Sequence, residues 1–410
     1  MKRVWVVNHY AQEPTSPGGT RHYSLARHLV EYGWTATVLA ASTELNTSRQ
    51  RLLGLRLLRE ETHGGIPFCW FRAPTYSSNG AGRLANMLAF AAHVVLAPAL
   101  HRRATPDAVI GSSVHPFAAW AGLRLARRHR VPFIFEVRDL WPQTLVDMGA
   151  VREGSPLVWL LRKLEQHLYR AAARIVVLMP RADEYICRLG IPREKIVWIP
   201  NGVELSEVEP IPRPPNGSVF SLMYFGAHGR ANGLDNILAA MAQLRDMHTN
   251  VRVSLRLVGD GPLKPSLIEQ AKRLGLDNVF FEPPVAKAAI PTLAAEADAF
   301  VVNLVDLPIY RYGMSLNKLF DYLAAGRPVV FAGASINNPV AEAQAGISVP
   351  PGDPDALAGA IAKMAMMPPT ERLEMGRSAY AFVKAHHDFR ILARRLADCL
   401  DSAVSDSAHG

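Results

Sequence analysis

Hydrophobic and polar residues alternate along the first half of the chain in a pattern that predicts strands and helices in turn. An apolar strand is predicted at residues 4–8, an amphipathic helix at 20–32 that ends at Gly33, and a second strand at 35–40. Further strands and helices are predicted at 108–110, 117–130, 133–137, 174–178 and 196–199. Because strands that alternate with helices form parallel sheets, the pattern predicts a doubly wound α/β domain.

The second half repeats this alternation after a proline-rich stretch. Residues 207–217 contain four prolines, which prevent a helix, so we place an interdomain linker there. Strands and helices are then predicted at 221–225, 234–245, 254–258, 263–274, 279–281, 299–303 and 329–331. We predict an N-terminal domain at 1–206, a C-terminal domain at 218–385, and a C-terminal helix and tail at 386–410. Two such domains facing each other would enclose a cleft at the carboxyl ends of their strands.

The amino-acid composition excludes several classes of protein. With 410 residues, 49% hydrophobic and 20% charged, the chain is long enough for two or three compact domains and is not of the disordered class. Its net charge of +9 favours an anionic partner, but basic patches with interleaved aromatic residues are missing, which argues against nucleic acid. Three distant cysteines support neither a disulfide framework nor a zinc cluster, and no signal peptide is evident, so we expect a cytoplasmic protein.

One segment could contact a membrane. Residues 84–100 lack a formal charge, but a spanning helix needs about 20 predominantly apolar residues, and Asn86, His93 and Pro98 interrupt this one. Together with the basic, leucine-rich residues 49–59, the segment suggests peripheral contact with an anionic membrane surface. The alternative is that 84–100 forms a buried helix of the domain.

The residues around 312–331 suggest an anion site. Ser315 is predicted to cap a helix that ends at Gly326, which places Lys318 in the first turn and Asp321 on the same side. Free N–H groups at a helix start suit a diphosphate, Lys318 adds a full charge, and Asp321 could accept ribose hydroxyls. The alternative is a solvated pair between Lys318 and Asp321.

Here the sequence resembles a known family. Residues 321–330, Asp-Tyr-Leu-Ala-Ala-Gly-Arg-Pro-Val-Val, resemble the Glu-Ala-Met-Ala-x-Gly-x-Pro-Val-Val signature of family-four retaining glycosyltransferases, which have two facing Rossmann-like domains, the GT-B fold. Four other stretches are similar to family motifs in the same order, at 17–19, 199–204, 257–262 and 349–354. Residues 8–10, 18–23 and 136–142 are most similar to bacterial surface-polysaccharide enzymes akin to N-acetyl-L-fucosamine transferases.

The resemblance implies a donor site and an acceptor. The donor would be a nucleotide-sugar, most simply a UDP-sugar, and the acceptor a polyprenyl-diphosphate-linked saccharide. The donor-binding residues implied or indicated by local pattern are Gly18, Gly19, Gly226, Arg230, Gly259, Ser315, Asn317, Lys318 and Asp321.

The sequence also departs from the family pattern. Ala227 and Asn232 stand where the family has a phosphate-binding Arg and Lys, so Arg230 and Lys318 are expected to supply the charge. Gly313 stands where the family has a Glu that contacts the transferred sugar. A non-catalytic binding partner of an assembly complex and a nucleotide-sugar epimerase are therefore alternatives to a transferase.

Four residues of the N-terminal half are candidates for the chemistry. His115 follows a strand end, Arg138 and Asp139 follow the next one, and Glu136 could act as a base if its side chain faces the cleft. The alternative for Arg138 and Asp139 is a structural ion pair. No metal is expected, because Asp353 and Asp355 form the only Asp-x-Asp candidate, and Asp353 is better explained as a helix cap before Pro354.

Overall fold

The chain forms two compact units in a computed structural model, which describes residues 1–16, 18–43, 49–52, 54, 56–76, 80–98, 100, 103–205, 219–247 and 251–409. The first unit comprises Met1–Glu13, Gly19–Pro200 and Phe389–Gly410, and the second comprises Pro14–Gly18 and Asn201–Asp388. The predicted linker at 207–217 lies outside the described residues.

The first unit is built on a mostly parallel sheet. Its strands are β1 (Lys2–Val7), β2 (Trp34–Ala41), β3 (Leu58–His63), β4 (Ile66–Phe71), β5 (Ala108–Ser112), β6 (Phe133–Val137), β7 (Arg174–Val177) and β8 (Ile196–Trp198). They lie in the order β3-β4-β2-β1-β5-β6-β7-β8. Its helices before the second unit are α1 (Arg21–Leu29), α2 (Ala81–Leu96), α3 (Pro116–His129), α4 (Gln143–Asp147), α5 (Pro156–Ala171) and α6 (Ala182–Arg188).

An antiparallel hairpin at the sheet edge was not predicted. Strand β3 pairs with β4 in the antiparallel sense, and the other pairs of the sheet are parallel. β3 is polar and carries Glu60 and Glu61, because an edge strand has one free side that charged residues protect from further pairing. Leu58, predicted as part of a cationic membrane-facing segment at 49–59, begins this strand, while residues 53 and 55 lie outside the described residues.

The second unit repeats the architecture with a fully parallel sheet. Its strands are β9 (Val219–Phe225), β10 (Arg252–Val258), β11 (Val279–Glu282), β12 (Ala299–Asn303), β13 (Val329–Ala332) and β14 (Gly346–Val349), in the order β11-β10-β9-β12-β13-β14. Its helices are α7 (Leu234–Asp246), α8 (Lys264–Arg273), α9 (Ile290–Ala294), α10 (Asn317–Ala324), α11 (Pro339–Glu342), α12 (Pro354–Met366) and α13 (Pro369–His386). The predicted fold class of two doubly wound, Rossmann-like domains is confirmed.

Both faces of the second sheet are buried. Alternate residues of β9 point to opposite faces: Leu222 and Tyr224 join one apolar cluster, and Met223 and Phe225 join the other. Helices therefore cover the sheet on both sides, as a continuous hydrophobic strand requires. This leaves the carboxyl ends of the strands, with their loops, as the place for polar side chains.

The last helix, α14 (Phe389–His409), packs into the first unit. Its apolar stripe, which includes Phe389, Leu392, Leu396 and Leu400, is buried in the same cluster as Trp34 of β2. Among the described residues, no helix combines the length and the apolar character needed to cross a membrane.

Candidate functional site

Two glycine-rich loops interlock at the carboxyl edge of the second sheet. Gly226, just after β9, donates its N–H to the Val258 carbonyl at 3.0 Å, and the His228 N–H binds the Asp260 carbonyl at 2.8 Å. A Cβ added to Gly259 would lie 2.0 Å from the Gly226 oxygen, and one added to Gly261 would lie 2.5 Å from the His228 oxygen. Only glycine permits these backbones to approach so closely.

Helix α10 brings Lys318 to these loops. The hydroxyl of Tyr322 on α10 accepts from the Phe225 N–H at 2.8 Å and donates to its carbonyl at 2.7 Å, which fixes the helix to the end of β9. The first residue of α10 is Asn317, and no side chain caps the helix start. The helix start is therefore held against the carboxyl edge of the sheet with backbone donors available to an anion.

The Lys318 ammonium is bound by residues of the β9 loop. It donates to the Tyr224 hydroxyl at 3.0 Å and to the Asn232 side-chain oxygen, and it lies 4.6 Å from the Tyr224 ring centre. The Tyr224 hydroxyl and the Asn232 side-chain amide also donate to the Ala227 carbonyl, each at 2.8 Å. Burial lowers the pKa of Lys318 to about 7. Asn232, which stands where the family has a Lys, thus holds a lysine contributed by another element.

Asp321 has a different partner from Lys318. Both of its carboxylate oxygens accept from the Lys287 ammonium, at 2.5 and 2.6 Å. Burial raises the pKa of Asp321, and Lys287 offsets only part of that effect. The alternative of a solvated pair between Lys318 and Asp321 is therefore wrong.

The predicted helix cap at Ser315 is also wrong. Its hydroxyl accepts the Asn201 backbone N–H at 2.8 Å, and its carbonyl accepts from the Asn201 side-chain amide at 2.6 Å. Ser315 thus binds a residue far away in sequence, and Leu316 takes the cap position with no side-chain cap bond. The predicted cap at Asp353 is confirmed, because its carboxylate accepts from the Ala356 N–H at 2.9 Å.

Two further residues of the β9 loop differ in exposure. Arg230 begins a short 3-10 turn and is exposed, and its role in donor binding stays a prediction. His228 is fully buried, and in the part of the chain that the structure describes neither of its ring nitrogens has a hydrogen-bond partner. Burial, with nearby Lys264, lowers the pKa of His228 to about 4. Sequence reasoning missed this histidine, whose only signal was its place in a glycine-rich loop.

In the first unit, Glu136 lies at the centre of a buried polar network. It accepts from Arg21 Nε at 2.9 Å, His22 Nε2 at 2.7 Å and the Ser112 hydroxyl at 2.6 Å. Burial would raise the pKa of Glu136, but His22 and Arg21 outweigh it and hold the pKa well below its usual range. As a base, Glu136 would have to give up these partners, and its catalytic role stays a prediction.

His115 forms a buried pair with His9. The Ala118 N–H donates to His115 Nδ1 at 3.3 Å, so the proton of the neutral ring lies on Nε2, which donates to His9 Nδ1 at 2.6 Å. Burial lowers the pKa of His9 to about 3 and holds that of His115 well below its usual range. His115 therefore caps α3 and presents a neutral ring.

The remaining predicted residues lie at loop positions. Arg138 and Asp139 follow β6, and the Arg138 backbone N–H donates to the Ser113 hydroxyl at 3.3 Å. Asp139 is exposed, and Arg138 is half-buried. Gly18 and Gly19 come directly before Thr20, at the start of α1, and Pro17 lies outside the described residues.

Family comparison matches the two halves of the chain to two related families. Residues 18–202 match the family described as "Glycosyl transferase 4-like domain", and residues 220–366 match "Glycosyl transferases group 1". Together the two matches cover most of the chain.

Two curated proteins are similar in sequence. The first, named "Probable glycosyltransferase WbjE", from Pseudomonas aeruginosa, is 26% identical over 292 residues, which are 67% of this chain and 69% of that protein. The second is WcaI of Escherichia coli strain K12, which is named for glycosyl transfer in colanic acid biosynthesis. It is 23% identical over 261 residues, which are 60% of this chain and 62% of that protein.

Solved structures share the fold over the whole chain. Sucrose-phosphate synthase from Thermosynechococcus elongatus has a TM-score of 0.72 at 19% identity and covers 97% of this chain and 98% of its own. Anabaena HepE, solved with UDP-glucose, has a TM-score of 0.65 at 18% identity and covers 98% of this chain and 100% of its own. The two family matches, the parallel sheets and these neighbours together show that the chain belongs to the glycosyltransferases of the GT-B fold.

Proposed function

We propose that this glycosyltransferase uses a nucleotide-sugar, most simply a UDP-sugar, and that the second unit binds it. The observation that carries the proposal is the Lys318 ammonium held by Tyr224 and Asn232 beside the uncapped start of α10. A diphosphate there would meet a cation and free backbone N–H groups. HepE, which has the same fold, was solved with UDP-glucose, and this supports the donor class.

The chemistry requires stabilisation of the leaving group. Transfer breaks the bond between the anomeric carbon and a diphosphate oxygen, forms a bond to the oxygen of an acceptor hydroxyl and releases the proton of that hydroxyl, so negative charge grows on the diphosphate. Charge-assisted bonds of about 1.5–3 kcal/mol each from Lys318 and Arg230 would stabilise that charge. We therefore propose that the reaction needs no metal ion. We also propose retention of the anomeric configuration.

The acceptor we propose is a polyprenyl-diphosphate-linked saccharide at the cytoplasmic face of the membrane, in surface-polysaccharide assembly. The name of WcaI, a relative in colanic acid biosynthesis, supports this class of pathway. The transferred sugar would be a hexose or an N-acetylhexosamine, as in the N-acetyl-L-fucosamine transferases that the sequence resembles. Gly313 stands where the resembled family has a carboxylate, and it adopts φ +98°, a conformation that favours glycine.

The test is incubation of the full chain with a panel of UDP-sugars, with and without a polyprenyl-diphosphate saccharide. Acceptor-dependent release of UDP is expected, and chelation of divalent ions should leave its rate unchanged. The anomeric configuration of the product, read by NMR, tests retention. Isomerised donor without transfer would point to an epimerase, and UDP binding without turnover to a non-catalytic partner. Either result would overturn the proposal.

A further inference from the structure

Helix α2 of the first unit has an apolar outer face. Its inner face, with Met87, Phe90 and Val94, is buried. The exposed positions include Leu84, Leu88 and Leu96, the last of them 71% exposed, in a stripe at helical spacing. A surface helix normally turns charged residues outward, and a row of exposed leucines is typical of an interaction site.

Helix α3 lies beside α2 and also contacts α5. Its outward residues are Arg124, Arg127 and Arg128, all exposed, and its sequence contains no acidic residue. A band of positive charge therefore lies between the two neighbouring helices of this layer.

Helix α5 adds a second apolar area at its start. Leu157, Trp159 and Leu160 are exposed, Trp159 by 62% and Leu160 by 57%. The Lys163 ammonium lies 5.8 Å from the Trp159 ring centre. Tryptophan next to a lysine is common where a protein meets the headgroups of a bilayer, because its ring is apolar with one polar N–H.

The outer faces of the three helices have charge of one sign. Glu165 is the only acidic residue in α2, α3 and α5, and it is buried, where it accepts from the Tyr169 and Tyr185 hydroxyls at 3.1 Å each. Exposed Glu153, just before α5, is paired with Arg162 of that helix. Outer helix faces with leucines, a tryptophan and arginines but no acid of their own are complementary to an anionic lipid surface.

We propose that this three-helix face, formed by the outward residues of α2, α3 and α5, docks on an anionic lipid bilayer. Leu84, Leu88, Trp159 and Leu160 enter the boundary between headgroups and acyl chains, and the α3 arginines bind lipid phosphates. The inference rests on the membrane contact in the proposed function and specifies its surface. Each of the two alternatives for residues 84–100 then applies to one side of α2. One side is buried in the domain, and the other is available to lipid.

The test is flotation of the full chain with vesicles of phosphatidylcholine alone or mixed with phosphatidylglycerol. The wild-type protein should bind the mixed vesicles, and less so at high salt. Combined Leu88→Ser, Trp159→Ser and Leu160→Ser substitutions, or Arg124→Glu, Arg127→Glu and Arg128→Glu, should each weaken binding at least about tenfold. All six side chains are exposed, so the apolar set should retain the thermal melting temperature. The arginine set should remain folded but lower it slightly, because Arg127 and Arg128 lie in the last turn of α3 and Arg128 donates to the Val95 carbonyl.

Control variants for these two sets of substitutions are available in the second unit. Phe280→Ser and Ile336→Ser remove exposed apolar side chains there, and Arg252→Glu, Arg273→Glu and Arg377→Glu make the same change in net charge at exposed positions. Both control sets should leave vesicle binding unchanged. If the wild type does not bind mixed vesicles, or if control and test variants lose binding equally, the inference is wrong. UDP binding, measured on the same samples, reports on the proposed donor site independently.

Discussion

Lys318 is the residue on which the proposed donor site depends most. Lys318→Ala should weaken UDP binding by about 10- to 100-fold, because a charge-assisted hydrogen bond contributes about 1.5–3 kcal/mol. The measurement is isothermal titration calorimetry with the full chain. Exposed Lys363→Ala in α12 is the control and should leave the affinity unchanged. Equal UDP affinity for Lys318→Ala and the wild type would refute the diphosphate assignment.

The pKa of Lys318 adds a second test. Since burial lowers the pKa of Lys318 to about 7, the free protein loses the ammonium charge as the pH rises through 7. The affinity for a UDP-sugar, whose diphosphate is esterified at both ends and does not titrate in this range, should therefore fall between pH 6 and 8. Lys318→Arg should remove this dependence, because a guanidinium stays protonated there. A wild-type affinity that does not change over this range would contradict the prediction.

Two buried neutral histidines should make the protein sensitive to acid. The pKa values of His9 and His228 are lowered from 6.5 to about 3 and about 4, so the unfolded chain binds more protons below pH 6.5. Stability is complete above pH 6.5 and is lost as the pH falls towards these values, by about 2–3 kcal/mol for each histidine at pH 4.5.

Urea unfolding at pH 7 and 4.5, followed by hydrogen exchange in each unit, measures this loss. His228→Leu should reduce the loss in the second unit and keep or raise its stability at pH 7, because an unpartnered polar ring is replaced by an apolar one. The control substitution His167→Gln, at an exposed position, should change neither the stability at pH 7 nor its loss at pH 4.5. The same acid sensitivity in His228→Leu as in the wild type would be evidence against this explanation.

Some hydrogen bonds of the site join residues that are distant in sequence. The spacing of Lys318 from the predicted helix start was informative because it depends on one helical turn. The cap at Ser315 and the pair between Lys318 and Asp321 were wrong because their true partners, Asn201 and Lys287, are distant in sequence. Hydrogen bonds of that range follow from packing, and a local pattern does not contain them.

At the scale of elements, the donor site depends on the contact between the β9 and β10 loops. Gly261→Ala would place a Cβ 2.5 Å from the His228 carbonyl oxygen and should force the loops apart. We expect UDP affinity to fall at least about tenfold, because a displacement of an ångström is enough to cost that much at a positioned site. Calorimetry with UDP is the measurement.

Gly359→Ala is the matched control for this prediction. It lies in helix α12, and a Cβ there meets nothing within 4 Å. It should leave UDP binding unchanged and stabilise the protein by about 0.5–1 kcal/mol through helix propensity. If Gly261→Ala binds UDP as the wild type does, the close approach of the loops is not needed for the site.

Most helices and parallel strands could be predicted from periodicity, because a buried strand or an amphipathic helix carries its signal in adjacent residues. The β3–β4 hairpin was missed because β3 is a polar edge strand with no alternating pattern of buried residues, although the apolar run of β4 and the Gly64-Gly65 connection carried a signal for it. The packing of α14 into the first unit was also beyond local pattern. Its apolar stripe predicts burial but does not say against which sheet.

At the scale of the whole molecule, the two units have separate cores, so a ligand of one should protect that one first. UDP at about 100 times its dissociation constant should stabilise the second unit by about 2.7 kcal/mol. Hydrogen exchange with mass spectrometry should therefore slow in β9, β10 and α10, with a smaller change in β5 and β6. Greater protection of the first unit would place the nucleotide there and contradict the proposal.

The fold shows where part of the net charge of +9 lies. Part of it lies at Lys318 and Arg230, where we propose the donor diphosphate, and part on the outer face of α3. Composition alone predicted an anionic partner without separating these two. The separation required the fold, which places α3 between two helices with apolar outer faces.

The burial of α14 in the first unit has a consequence for synthesis. The core of that unit contains Val4 and Val6 from the beginning of the chain and Leu396 and Leu400 from its end. A ribosome must therefore translate the chain through Leu400 before this core can close, while the long continuous segment of the second unit, Asn201–Asp388, precedes that point. The second unit can therefore fold before the first, although it is translated later. The core of the first unit stays incomplete until α14 has been made.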